Sequence, residues 1–318
     1  MKAIAIPEFG GRDKLQLMDL PVPPVGVRDV LLQVKAAGVN PVDWKIREGF
    51  LRDMMPHEFP VILGWDAAGI VTKVGENVTR FKTGDEVYAY CLTAVVHHGS
   101  YAQYIALPEN NLALKPRTLP FEEAATIPLA ALTAYQSLFD AADLQQGESV
   151  LIHAAAGGVG GFAVQLARHR GARVFGTASP SNHEYVKSLG ADILIDYNTQ
   201  DFRHVIRETS PGGVDVVLDC VGGDVVEQSL DILKAHGRLV TIAEAGLVKK
   251  LSERGVNAHF VFVAPNSSQL HEIAGLTESG KFSTHVSARF TLEEAAKAHE
   301  LLESQHVRGK VVLRVNHP

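Results

Sequence analysis

Cysteine is nearly absent from this chain: Cys91 and Cys220 are the only two in 318 residues, and they lie far apart. That excludes a disulfide framework and any Cys-x-x-Cys metal clamp. Excess positive charge is lacking too, since 30 Lys and Arg stand against 36 Asp and Glu for a net charge of −6. No basic run rises above the background, so nothing marks a nucleic-acid partner. Long apolar runs are missing as well. The opening Met-Lys-Ala-Ile-Ala-Ile-Pro is too short for a signal sequence and no stretch is long enough to span a bilayer, so the expectation is a cytoplasmic protein whose partners are small molecules or a second copy of itself. What is plentiful is apolar content, 46%, and glycine, 28 residues, which suit a packed α/β protein with many tight turns.

The richest glycine stretch organises the reading. Ser149 to Ala154 reads as a short buried strand, and it runs straight into Ala155-Ala156-Gly157-Gly158-Val159-Gly160, a turn with no side chain larger than valine. Val159, Phe162, Ala163, Leu166 and Ala167 then follow at helical spacing. Strand, glycine turn and helix together make a phosphate cradle, because a pyrophosphate needs backbone N–H groups at close range and the positive end of a helix dipole behind them. The dinucleotide fingerprint falls with Ala155 at its first glycine position, Gly157 at the second and Gly160 at the third, Gly158 and Val159 lying between.

Around that centre the chain divides in two. Residues 1–124 carry short strands, expected at Lys2–Ile6, Leu15–Leu20, Val30–Val39, Ala68–Val74, Glu86–Tyr90 and Tyr101–Leu107, which suggest a compact β barrel or sandwich. Helical spacing over Ala124–Ala142 bridges into residues 125–265, where six strand patterns alternate with helical ones, the count of a doubly wound parallel sheet. Those strands are expected at Val150–Ala154, Arg173–Thr177, Ile193–Ile195, Val214–Asp219, Arg238–Ile242 and His259–Val263, with a helix over Val225–Leu233 among the crossovers. Residues 266–318, with strands expected at Phe282–Phe290 and Lys310–Val315, return to the first domain.

The order of parts resembles the medium-chain dehydrogenase/reductase superfamily, with a GroES-like β domain, an inserted Rossmann domain and a C-terminal return. The resemblance rests on Ala37-Gly38-Val39-Asn40-Pro41-Val42-Asp43, Leu63-Gly64-Trp65-Asp66-Ala67-Ala68-Gly69, Gly84-Asp85-Glu86-Val87 and Gly309-Lys310-Val311-Val312, and spans essentially the whole chain. Within it, the Ala-Ala-Ala-Gly-Gly-Val-Gly turn and Asn-Pro-Val-Asp-Trp-Lys look like the zinc-independent quinone oxidoreductase and alkenal/enone reductase group. The zinc alcohol dehydrogenases it also resembles carry Cys where Asn40 stands, His-Glu where Trp65-Asp66 stand, and a further ligand near Leu129. An amide, an indole and an aliphatic chain cannot build a tetrahedral zinc site, so no metal is expected.

An NAD-type pocket places an acid at the end of the second strand, about 20 residues past the glycine turn. Here that strand ends Thr177-Ala178-Ser179, and no acid appears before Glu184. Ser179, Asn182 and His183 can donate to a 2′-phosphate, and Tyr197 matches where the related reductases pack a tyrosine near it. NADP is therefore the expected cofactor, with Lys187 or Arg308 as its candidate countercharge. The resemblance places Asn40 and Lys45 near the nicotinamide, as donors to a carbonyl oxygen that becomes an enolate on hydride transfer, with Trp65 and Tyr90 lining the substrate pocket. The expected activity is NADPH-dependent, metal-independent reduction of a quinone or an α,β-unsaturated carbonyl. The rivals are a non-catalytic NADPH-binding protein, such as a redox sensor or crystallin-like member, and a zinc-type alcohol dehydrogenase. A homodimer is expected, with the apolar strand His259–Val263 as a pairing edge.

Overall fold

The computed structural model describes residues 1–316, in two compact units: 1–129 with 264–316, and 130–263. In chain order the first opens with β1 (Lys2–Ile6), β2 (Gln16–Asp19) and β3 (Asp29–Val39), then α1 (Pro41–Arg47). Next come β4 (Val61–Ile62), β5 (Asp66–Val74), β6 (Glu86–Tyr90), β7 (Tyr104–Pro108) and β8 (Leu112–Leu114), with α2 (Phe121–Ala124) and α3 (Pro128–Tyr135) after them. The helical stretch expected to Ala142 changes character at Gln136, where α3 gives way to a π-helical turn. The second unit holds β9 (Ser149–Ile152), α4 (Gly158–Arg170), β10 (Arg173–Ala178), α5 (His183–Ser188), β11 (Ile193–Asp196) and α6 (Phe202–Thr209). It continues with β12 (Val214–Asp219), α7 (Asp224–Ser229), β13 (Leu233–Thr241), α8 (Ala245–Glu253) and β14 (Asn257–Phe260). The chain then returns to the first unit as α9 (Ser267–Glu278), β15 (Val286–Thr291), α10 (Ala295–Glu303) and β16 (Lys310–Arg314).

In the second unit six parallel strands stand in the order β11-β10-β9-β12-β13-β14. Numbered within the unit this is 3-2-1-4-5-6, the doubly wound arrangement, and its direction reverses between β9 and β12. The glycine turn leaves the carboxyl end of β9, at that switch point. Leu151, Phe175 and Val217 from the central strands and Ile195 from the edge strand β11 are fully buried with Ile206 and Val226 of the crossover helices in one core. Strands buried on both faces read as the continuous apolar runs seen in the sequence.

The first unit is built on a seven-stranded sheet ordered β15-β16-β3-β5-β6-β8, with β7 also paired to β3, and a three-stranded sheet ordered β2-β1-β4. The returning β16 runs antiparallel to β3 in the register Val311↔Val39, and β3 pairs with β5 in the register Gly38↔Asp66. These two registers bring distant polar residues together.

Several expected elements shift. The helix expected through Leu233 ends at Ser229, and Leu233 instead opens β13 because it pairs with Val214. The strand expected from Phe282 begins at Val286, where it meets Lys310 of β16; Phe282 is a buried anchor ahead of it. The strand expected from Tyr101 starts at Tyr104, and Tyr101 turns its ring into the core.

Candidate active site

In the second unit the turn after β9 is narrow because backbone fills it. A Cβ at Gly160 would lie 2.2 Å from the Ala154 carbonyl oxygen and 2.9 Å from the Ala155 Cα, so only glycine fits. Gly157 caps α4, and the N–H groups of the first helical turn, on Gly158, Val159 and Gly160, have no acceptor within the helix. Ala155 can replace the first glycine because Gly176 faces it, where a Cβ would stand 2.9 Å from that of Ala155. The backbone thus fits a pyrophosphate, and a dinucleotide would be held by these residues.

Beyond β10, Ser179 caps a short turn, with its hydroxyl 3.1 Å from Asn182 Nδ2 and 3.2 Å from Ser181 Oγ. His183 Nε2 is 3.1 Å from the Ala178 carbonyl, and Tyr197 is 57% exposed just past β11. No acid ends β10. The nearest, Asp196 on β11, is paired in register with Ala178, and its own turn holds its carboxylate below the usual range through Thr199 Oγ1 at 2.7 Å, then Asn198. Arg308 belongs to the first unit, where its charge helps lower the pKa of His285 after burial.

In the first unit the registers of β16, β3 and β5 gather Lys310, Asn40 and Asp66. Lys310 Nζ donates to Asn40 Oδ1 and lies 3.6 Å from Asp66 Oδ2, while Asn40 Nδ2 donates to the same Asp66 oxygen at 2.8 Å. The other oxygen, Oδ1, accepts from Leu129 N at 2.7 Å. Gly38 makes room for this carboxylate, since a Cβ there would sit 2.9 Å from that of Asp66. Burial raises Asp66 and lowers Lys310, each held back by the other's charge. Asn40, 2% exposed, is therefore fixed in orientation with one Nδ2–H engaged by Asp66 and no described residue accepting the second.

A second buried chain adjoins it. Asp43, on α1, accepts from Asn40 N at 2.7 Å and from the Tyr101 hydroxyl at 3.0 Å; Tyr101 is 3.3 Å from His299 Nε2, and His299 Nδ1 is 3.1 Å from Arg47. Arg47 also bonds Glu303 at 2.9 Å. Lys45 lies half-buried on α1 with Nζ 5.8 Å from the Trp44 ring centre. Asp43, Tyr101, Arg47, His299 and Lys310 are site residues that the sequence pattern does not single out. The one local signal is Lys310, a charge directly ahead of the apolar run Val311-Val312-Leu313. Trp65 and Tyr90 meet edge to face at 6.1 Å, and both rings are buried.

Zinc does not fit here. Asn40, Trp65 and Leu129 offer no ligand set, and the Lys310 ammonium already stands against Asn40 and Asp66, where a cation would meet like charge. Among the described residues no group of three or more His, Cys, Asp or Glu could hold a metal.

A β unit with a C-terminal return strand and a 3-2-1-4-5-6 dinucleotide sheet define an oxidoreductase architecture, and comparison with known proteins agrees. Residues 26–117 match the alcohol dehydrogenase GroES-like domain, and residues 189–313 match the zinc-binding dehydrogenase family. The chain is 36% identical over 322 residues to 2-methylene-furan-3-one reductase of Solanum lycopersicum, covering 98% of this chain and 79% of that protein. It is 37% identical to NADPH-dependent alkenal/one oxidoreductase of Arabidopsis thaliana, again over 98% of this chain and 79% of the relative. The quinone oxidoreductase structure from Coxiella burnetii superposes with a TM-score of 0.90 at 37% identity, covering 99% of both chains. The chain belongs to the medium-chain dehydrogenase/reductase superfamily, in its quinone oxidoreductase and alkenal/enone reductase group.

Proposed function

We propose that this protein is an NADPH-dependent reductase of quinones or α,β-unsaturated carbonyls. The observation that carries the reading is the glycine turn at the switch point, closed to any side chain at Gly160, together with a β10 end that lacks the acid of an NAD pocket. The relatives' names, one of them NADPH-dependent, support the same cofactor and substrate class. When bound, the reduced nicotinamide supplies the hydride. The chain's own residues bind and orient, and they stabilise the negative charge that grows on the acceptor's oxygen. Asn40 offers its second Nδ2–H in an orientation fixed by Lys310 and Asp66, and Lys45 offers an ammonium on the helix that follows. Water supplies the proton for the α carbon. Ser179, Asn182, His183 and Tyr197 surround the 2′-phosphate in this reading.

Mixing the protein with NADPH and a panel of quinones and enones, and following loss of reduced-nicotinamide absorbance by stopped flow, tests the reading. Tight NADPH binding with no acceptor consumed across the panel would instead make it a non-catalytic binding protein. We also propose a homodimer through β14, the edge strand of its sheet, which runs Asn257–Phe260 in place of the expected His259–Val263, with Phe262 beyond its end 43% exposed. A monomer in sedimentation at micromolar concentration would remove that assignment. Cys91 and Cys220 are both free thiols, which suits a reducing compartment such as the cytoplasm.

A further inference from the structure

We propose that Thr177 is a positioning residue for the dinucleotide: it holds Ala154 in a left-handed conformation, and that conformation shapes the turn. The proposal rests on the reading of the turn as the pyrophosphate site.

Ala154 has φ of 53°, a region that residues with a Cβ rarely occupy. It stays there because β10 grips it twice. Ala154 N donates to Thr177 Oγ1 at 3.1 Å, and Ala155 N donates to the Thr177 carbonyl at 2.9 Å. The hydroxyl is itself oriented by a buried chain. Ser229 Oγ donates to the Val225 carbonyl at 2.7 Å, so it accepts from His153 Nε2 at 3.0 Å. His153 Nδ1 is then the ring's acceptor and takes the Thr177 hydroxyl proton at 3.3 Å. Thr177 Oγ1 is left with its lone pairs toward Ala154 N–H.

The left-handed kink turns the Ala154 carbonyl across the turn, where it accepts from Gly157 N at 2.9 Å and lies on Gly160. The third glycine of the fingerprint and the strained alanine are thus two parts of one device. Rotating Ala154 to an ordinary conformation would swing that carbonyl away and re-aim the N–H groups that follow. Thr177 acts on the dinucleotide only through this backbone.

The test is a cycle of Thr177→Val and Ala154→Gly, with Thr177→Ser as the conservative control, read as NADPH affinity by titrating nicotinamide fluorescence and as stability by urea midpoint. Removing the hydroxyl should weaken NADPH about tenfold, because it leaves Ala154 N–H unsatisfied and frees the kink. Thr177→Ser should retain the affinity. Glycine adopts φ near +50° without strain, so Ala154→Gly should restore most of the loss in the double variant, an outcome that a general packing role for Thr177 does not produce. Unchanged affinity in Thr177→Val, or a double variant as weak as Thr177→Val, overturns the proposal. If Thr177→Val does not fold, the same rescue is read as recovery of folding in the double variant, and failure to recover overturns it equally. Should the parent protein bind no NADPH, the functional reading fails, while the coupling between the two positions is still decided by the urea midpoints.

Discussion

Arg47 and His299 face each other inside the first unit with Nη1 3.1 Å from Nδ1, and because a guanidinium can only donate, the imidazole is fixed as its Nε2–H tautomer. From that one contact the rest of the chain follows. His299 Nε2–H donates to the Tyr101 oxygen and the Tyr101 hydroxyl donates to Asp43 Oδ2, so every donor points inward from Arg47. The route is no proton wire to solvent, since its outer end is a permanently charged guanidinium. It is a rigid strut between α1 and α10 that ends on the carboxylate holding the backbone N–H of Asn40.

The strut makes opposing contributions to stability against pH. Burial raises Asp43 from 3.8 to about 7, and its Oδ1 has no donor; burial, then Arg47 and Arg12, lowers His299 from 6.5 to about 3. Between 3.8 and 7 the folded chain holds the Asp43 proton more tightly than the unfolded chain, so that contribution is lost as pH rises through the window. Between 3 and 6.5 the unfolded chain protonates His299 more readily, so that contribution is lost as pH falls. The two overlap and offset, each limited to about 1.4 kcal/mol per pH unit. Asp43→Asn should therefore unmask a stability that rises with pH from 4 to 6.5, and His299→Gln one that falls across the same range. Urea midpoints over this range check it; two variants displaced from the parent by a constant amount would refute it.

Lys310 and Asp66 form a buried pair, so removing one partner leaves an uncompensated charge. Lys310→Met should cost about 3–5 kcal/mol, whereas the double variant Lys310→Met/Asp66→Asn should be less destabilised than the lysine change alone. Additive losses in urea unfolding would show that the two do not act as a pair.

How much of this the sequence exposes depends on the range of the constraint. Strand period, glycine turn and helical stripe lie within one short stretch from Ser149 to Arg170, so the dinucleotide unit and its fingerprint are readable directly. Lys310 and Asn40 are 270 residues apart and meet only through the register Val311↔Val39. No local pattern records a register, and Gly-Lys-Val-Val reads as an ordinary strand start. Tyr101 misleads for a related reason. Its aromatic character suits a strand, but its hydroxyl is taken by Asp43, which lies 58 residues earlier in the chain. Leu233 likewise follows its partner Val214 and not its helical spacing.

Cofactor preference can be moved at Ser179. Ala178 is buried and paired with Asp196, so an acid there would sit beside another acid; Ser179 is half-buried, and as a cap it accepts Asp without loss. Ser179→Asp should set a carboxylate against the 2′-phosphate and offer an acceptor to a free ribose. Like charges a few ångströms apart are worth about 1–4 kcal/mol between water and protein-surface dielectrics, so the NADPH/NADH ratio of kcat/KM should fall at least about tenfold. An unchanged ratio in a folded variant would place the phosphate elsewhere.

Lys45 carries the last prediction. It is half-buried over Trp44, and among the described residues its ammonium pairs with no acid. If that charge meets the acceptor's oxygen, the interaction grows as the oxygen becomes negative, so it lowers the barrier more than it aids binding. Lys45→Met keeps much of the stem while removing the charge, and should reduce kcat more than it weakens NADPH binding. Loss of one oxyanion donor costs about 2.7–4 kcal/mol in a dry site and less where water substitutes. Quinones, with two activated carbonyls, should lose less than enones. An equal loss on both would mean that Lys45 only positions substrate, and no loss on either would leave the oxygen to Asn40, whose amide Lys310 and Asp66 hold in place.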